Sequence, residues 1–313
     1  MYDQANDLRQ LVRHCAGAET SGREQRPGMI VVGSGKGGVG TTTVAVNLAV
    51  AFVQRGRRTV VIDADPRGGG VALLCGLRER YTLADVLADK RTVSEALQIG
   101  PCGVRVVPGV WGMERIADFP AVAGERLLTQ LQNLYTMADV VVVDVGNGLN
   151  GLKRRLWRAA ELRLAVTTPD TAAILDTYAA IKSLAGADTP GSIHTLVNRT
   201  TSPETTESVQ ARLAQACRRF LRLQPIAAGG VPADPSVAVA ARAGEPLLLT
   251  AADCGAARRV EQLAETLAGT LDADTRQTNA LKPHENQQMQ RFRKNRKKTQ
   301  KRLDYLPPVA DIR

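Results

Sequence analysis

MIVVGSGKGGVGTTT, Met29 to Thr43, sets four apolar residues directly ahead of a glycine loop and a run of threonines. From Gly35 onward it nearly fits the phosphate-loop pattern of Gly, four residues, Gly, Lys, then Ser or Thr. Such a loop needs glycines because it wraps closely around phosphate oxygens and aims its amides inward, while the N-terminus of the following helix adds partial positive charge. Gly35, Lys36, Gly37, Gly38, Val39, Gly40, Thr41, Thr42 and Thr43 are therefore the candidate cofactor-binding segment, with Thr42 where a magnesium-binding hydroxyl belongs. Residue 41, where the pattern has its lysine, is threonine. A plain tight turn between strand and helix is the competing reading, and the context of the loop weighs against it.

That context is a repeated strand-then-helix order. Strand-like runs follow at Thr59–Asp65, Val104–Val110, Asp139–Asp144, Arg163–Thr168, His194–Asn198 and Pro225–Ala228. Helical patterns fall between most of them, at Thr42–Arg55, Gly124–Leu134, Ala172–Leu184 and Glu204–Leu221, and Ala256–Leu271 closes the series. The order implies an α/β fold with a doubly wound, mostly parallel sheet and right-handed crossovers. Two of the strands end in acid, VVIDADP at Asp63 and Asp65 and VVVVDVGNG at Asp144, on the sheet edge where α/β proteins collect ligands. A carboxylate at the first could hold or orient water, and the second has the form of a magnesium-binding strand end. Each alone could equally cap a loop.

The chain has 313 residues, 44% hydrophobic and only 4% aromatic, with apolar mass in Ala, Val and Leu, as suits helices packed on a buried sheet. Five scattered cysteines and three histidines suggest neither a disulfide framework nor a zinc site, and a reduced cytoplasmic setting is expected. No secretory pattern opens the chain and no apolar run approaches the ~18 residues of a membrane span. The net charge of +10 is concentrated in Met289–Arg313, which carries nine Lys/Arg against two Asp. The expected organisation is a short amphipathic helix over residues 1–15, a linker over 16–27, a nucleotide-binding domain over 28–271, and a polar then basic tail over 272–313.

KGGVG with its leading Lys36, the DADP segment at Asp63–Pro66, VVVVDVGNG at Val140–Gly148 and VNR at Val197–Arg199 together resemble the MinD/ParA family of dimerising P-loop ATPases. The resemblance implies ATP and Mg2+ as cofactors, Lys36 reaching the phosphates of a partner subunit in an ATP-dependent homodimer, and Asp65 positioning the attacking water. It also implies Thr42 and Asp144 as magnesium ligands and Asn198 as a contact to adenine. YTLADVLADKRTVSEAL (Tyr81–Leu97), Leu164–Lys182 and Gly229–Leu249 look closer to the FlhG branch, regulators of flagellar number and placement. DQANDLR at Asp3–Arg9 is similar to the N-terminal DQAxxLR motif with which that branch stimulates FlhF, a GTPase related to the signal-recognition particle. On that reading Gln4 and Arg9 enter the partner's active site, the guanidinium being suited to paired hydrogen bonds.

Three departures qualify the resemblance. The missing lysine at residue 41 should weaken nucleotide by roughly tenfold to a hundredfold, a charged hydrogen bond being worth ~1.5–3 kcal/mol, and should give slow hydrolysis or none. Lys36 or Arg67 could supply compensating charge. Gly70 stands where FlhG-like sequences carry Asn, an expected loosening of the loop after Asp65. The tail, with eight Lys/Arg between Arg291 and Arg302, lacks the apolar stripe of a MinD-like membrane helix. An anionic membrane surface at the inner face of the cell membrane, nucleic acid, or no target at all remain open for it. The functional readings are an ATP-controlled switch, a non-hydrolysing scaffold, and a ParA-like DNA-partition ATPase.

Overall fold

The computed structural model describes residues 26–78, 80–109, 120–185 and 191–273. The heptad bearing Gln4 and Arg9, and the basic tail, lie outside the described residues. Two compact units divide the chain, Met1–Ala268 and Gly269–Arg313, and the site lies in the first.

The described strands are β1 (Gly28–Ser34), β2 (Thr59–Asp63), β3 (Gln98–Ile99), β4 (Arg105–Val107), β5 (Val140–Asp144), β6 (Leu162–Thr167), β7 (Ser192–Thr200) and β8 (Ile226–Pro232). They form one sheet in the order β3-β4-β2-β5-β1-β6-β7-β8. Every pairing is parallel except that of β3 with β4. The helices between them are α1 (Thr41–Gln54), α2 (Gly70–Leu74), α3 (Leu83–Leu87), α4 (Val93–Ala96), α5 (Ala121–Gln132), α6 (Gly151–Ala159), α7 (Thr171–Leu184), α8 (Pro203–Leu221), α9 (Pro235–Ala243) and α10 (Leu247–Thr250). Residues 255–273 are helical as well. This is the doubly wound α/β sheet expected from the strand-helix alternation.

β2, β5 and β6 are buried at every residue, which is why β2 and β5 read as near-continuous apolar runs rather than alternating ones; β6 buries Arg163 as well. α1 is buried from Val44 through Phe52 and correspondingly apolar all round. Its one amide in that run, Asn47, accepts from the Leu248 N–H at 3.1 Å and donates to the Thr43 carbonyl at 2.8 Å, fastening α1 to α10.

Strand register brings the acidic ends level. Asp144 stands beside Val32 of β1 on one side and beside Asp63 of β2 on the other. β1 connects forward to β2 on one side of the sheet and lies against β6 on the other, so its C-terminal end is the switch point at which ligands enter such sheets.

Element ends differ from the expected ones where polar or special residues intervene. β4 stops at Val107 because the chain turns away at Pro108, whose carbonyl accepts from the Leu83 N–H at 2.8 Å; the expected terminus at residue 110 lies outside the described residues. β7 extends to Ser192 and Thr200 because its hydroxyls and His194 are accommodated within the sheet. β8 continues through Gly229, Gly230 and Pro232 as the last strand of the sheet, where a proline leaves no ladder bond unmade.

Candidate functional site

The loop from Gly35 to Gly40 leaves the end of β1 and delivers the chain into α1. Gly40 caps that helix with φ 93°, the left-handed region, and a Cβ there would strike the Asn198 amide. Thr41 is buried, and its hydroxyl donates to Ser34 Oγ at 3.0 Å, which in turn donates to the Lys36 carbonyl at 2.9 Å. The threonine thus braces the loop internally and brings no charge to it. Lys36 points outward, where Nζ meets Asp170 Oδ1 at 3.0 Å with both side chains about half exposed. Asp170 caps α7 by accepting from the Ala173 N–H at 2.9 Å, and the Thr168 hydroxyl, that amide and Lys36 together hold its carboxyl far below the usual range.

Three carboxylates gather beside the loop. Asp144 is fully buried; Oδ1 accepts from the Gly146 N–H at 3.0 Å, and Oδ2 has no hydrogen-bond partner among the described residues. Burial raises its pKa, opposed by the nearby Thr42 hydroxyl and the Gly146 amide. Asp63 is also buried and accepts from the Asp65 and Val71 amides, each at 3.2 Å; burial and then the charge of Asp144 push it up to about 8. Asp65 is held from two sides. Arg67 grips it, Nη2 to Oδ2 at 3.3 Å, and Gly146 lies so close, with φ 55°, that a Cβ there would occupy the carboxylate's place. Gly70 opens α2 and faces Thr42, whose Cγ2 would be 3.0 Å from a Cβ at residue 70. A side chain at residue 70 would therefore press tightly against Thr42.

Lys153, a residue the sequence reading passed over, completes the cluster. It lies on α6, whose inward face is Leu152, Lys153, Leu156 and Trp157. Asn150 caps the helix by accepting from the Lys153 N–H at 2.7 Å, and buried Arg163 binds the carbonyls of Trp157, Arg158 and Ala160 at the other end. So anchored, α6 places the Lys153 ammonium beneath the loop, donating to the Ser34 carbonyl at 3.2 Å and the Gly146 carbonyl at 2.9 Å. Burial lowers its pKa to about 8, with Asp144 and Asp65 working in the opposite direction. Written as KRR in sequence it looks like a solvated basic face; only helical phase with Leu156 and Trp157 marks it as inward.

Asn198, on β7, donates its amide to the Val39 carbonyl at 2.7 Å. Beside it a cavity of about 570 Å³ opens against Gly40 and Thr43, walled by Val231, Pro232, Val237 and Leu247. Its mostly apolar walls, with Asn198 among a few polar residues, suit a flat heterocycle. The residues fit a magnesium-bound phosphate chain on two counts: a buried carboxylate oxygen without a partner beside the Thr42 hydroxyl, and a glycine loop at a helix N-terminus. Magnesium commonly takes one or two carboxylates plus phosphate oxygens rather than an all-protein cage. Among the described residues there is no group of three or more His, Cys, Asp or Glu that could hold a metal ion by themselves. Nor, among them, is any helix long and apolar enough to cross a membrane.

Comparison with known proteins agrees with this geometry. The ParA family, described as NUBPL iron-transfer P-loop NTPase, matches residues 27–268. The antiactivator FleN of Pseudomonas aeruginosa is 34% identical over 209 residues, 67% of this chain and 75% of that protein. The flagellum site-determining protein YlxH of Helicobacter pylori is 31% identical over 157 residues, 49% of this chain and 52% of its own length. The crystal structure of the cell division ATPase MinD of Pyrococcus furiosus superposes with a TM-score of 0.65 at 25% identity, covering 77% of this chain and 98% of that one. With its family pattern spanning the whole sheet and its loop and acidic strand ends at the expected edge, the chain belongs to the ParA/MinD family of P-loop NTPases.

Proposed function

We propose that this protein is an ATP-controlled, dimerising switch that regulates flagellar number or placement. The observation that carries the nucleotide part is the buried, unpartnered Oδ2 of Asp144 beside Thr42 at the mouth of the glycine loop. The flagellar part rests on the likeness to FleN and YlxH. Bound magnesium would neutralise phosphate charge and bridge it to the protein. Thr42 and Asp144 would hold the metal, the amides of residues 35–43 the phosphates, and the cavity beside Asn198 the adenine. Asp65, held between Arg67 and Gly146, would orient water, and outward-facing Lys36 would leave Asp170 to reach a second copy. Residues 1–15 would act on an FlhF-type GTPase through Gln4 and Arg9, the domain occupying 28–271 and the basic tail beyond it serving an anionic membrane surface.

A non-hydrolysing scaffold is the second reading, favoured by Thr41 being tied to Ser34 and by Asp65 being occupied with Arg67. Calorimetric titration with ATP and ADP, with and without Mg2+, followed by sedimentation and turnover measurements, separates the readings. The switch requires magnesium-dependent binding, a shift from monomer to dimer with ATP, and slow phosphate release; binding with dimerisation but no release favours the scaffold, and no binding overturns both. Stimulation of a purified FlhF-type GTPase by the full chain, lost in Gln4→Ala/Arg9→Ala, tests the partner; an unchanged rate in the variant overturns that arm.

A further inference from the structure

Resting on the nucleotide reading, we propose that Lys153, reaching up from α6, supplies the phosphate chain with the ammonium that the loop lacks at residue 41. Thr41 is buried and spent on Ser34, and Lys36 faces Asp170. Arg67 is engaged with Asp65. The Lys153 ammonium is instead anchored to the carbonyl at which β1 passes into the loop and to the carbonyl of Gly146 just past β5. A lysine has three N–H donors, and these two bonds leave one without an acceptor among the described residues. Asp144 close by has an acceptor oxygen without a donor, yet the two do not form an ion pair among the described residues. An acceptor lacking a cation and a donor lacking an anion at one strand end are the complement of a magnesium phosphate.

The alternative role for Lys153 is a strut that merely joins Ser34 to Gly146. Lys153→Gln separates the two, because a glutamine amide keeps two N–H donors for the carbonyls, on a side chain one atom shorter, but carries no charge. Binding of ADP and of adenosine to the full chain is measured by calorimetry, alongside the melting temperature. If Lys153 serves the phosphates, ADP weakens about tenfold or more while adenosine changes less than about twofold. Adding Thr41→Lys to Lys153→Gln then restores ADP binding by about the same factor. In the otherwise native chain Thr41→Lys gains less than about threefold, because the charge is already present. This second variant keeps the test independent of whether Lys153→Gln folds. Equal ADP affinity in Lys153→Gln, equal loss of ADP and adenosine with no recovery by Thr41→Lys, or a full tenfold gain from Thr41→Lys alone would each overturn the proposal. A native chain that binds neither ADP nor ATP overturns the nucleotide reading itself, and this proposal with it.

Discussion

The two ends of the β2–β5 pair are built on opposite principles. Where the strands begin, Arg58 and Asp139 form a fork, Nη2 to Oδ1 at 2.6 Å with the Arg58 backbone N–H donating to Oδ2 at 2.8 Å. The same guanidinium donates to the carbonyls of Thr136 at 2.7 Å and Tyr135 at 3.3 Å. Opposite charges meet there, part-exposed and fully bonded. Where the strands end, Asp63 and Asp144 sit side by side in register, both acidic, both buried, and without an Arg or Lys ion pair among the described residues. Such a juxtaposition costs stability unless a cation arrives. One end of the same two strands is settled for folding, and the other is left unsettled until ligand binds.

The largest expected effect breaks the open end alone. Asp144→Asn keeps an oxygen for the Gly146 amide but removes the charge that would hold magnesium. The gain in ADP affinity on adding Mg2+ should fall by about tenfold to a hundredfold, the worth of one charged contact. The melting temperature without ligand should stay level or rise, since a carboxylate held at a desolvation cost is replaced by a neutral amide. A variant that kept its full magnesium dependence would show that the metal is held elsewhere.

The second effect has a sign that the comparison fixes. Asp63 and Asp144 both titrate above the ordinary carboxylate value of 3.8, through burial first; the charge of Asp144 then helps push Asp63 up to about 8, and that of Asp65 raises Asp144. Between about pH 4 and pH 8 these groups in the folded ligand-free protein therefore hold protons that the unfolded chain has released, and their contribution to stability falls as pH rises. Asp63→Asn should flatten that decline by at least about 1.4 kcal/mol, the worth of one pKa unit, in urea melts at pH 5 and pH 8 without Mg2+. An undiminished decline would mean the open end is not where the protein's pH sensitivity lies.

The ligand end of this contrast was partly legible in sequence, the Arg58–Asp139 end was not, and for a physical reason. Strands covered on both faces leave uninterrupted Val runs, and a phosphate loop leaves glycines at fixed spacing, so β1, β2, β5 and the loop through Thr42 could be read, as could Asp65 and Asp144. β8 was harder because its glycines resemble a turn; a Cβ at Gly230 would lie 2.5 Å from Thr206 Oγ1, so close helix packing, not a turn, sets that residue. Lys153 was hidden because its charge argues for solvent while its helical phase argues for the interior. What selects the interior is tertiary: the Ser34 carbonyl at the end of β1 and the Gly146 carbonyl just past β5 meet it only in the fold.

The smallest effect sharpens the comparison from the settled end. Arg58→Ala removes an ion pair in which the two side chains are 45% and 34% exposed, so screening limits the loss of the pair to about 0.2–1 kcal/mol, with ADP affinity unchanged. Burial would raise the Asp139 pKa, but the hydrogen bonds and charge of Arg58 bring it below 3.8. Its contribution is therefore present above the unfolded value and lost as pH falls through the lower folded one, the reverse of the Asp63 trend. Urea melts of the native chain and Arg58→Ala should differ at pH 7 and converge in acid. If Arg58→Ala instead shifted ADP affinity by more than about twofold, the two ends would be communicating along β2 and β5, and the division between them would not hold.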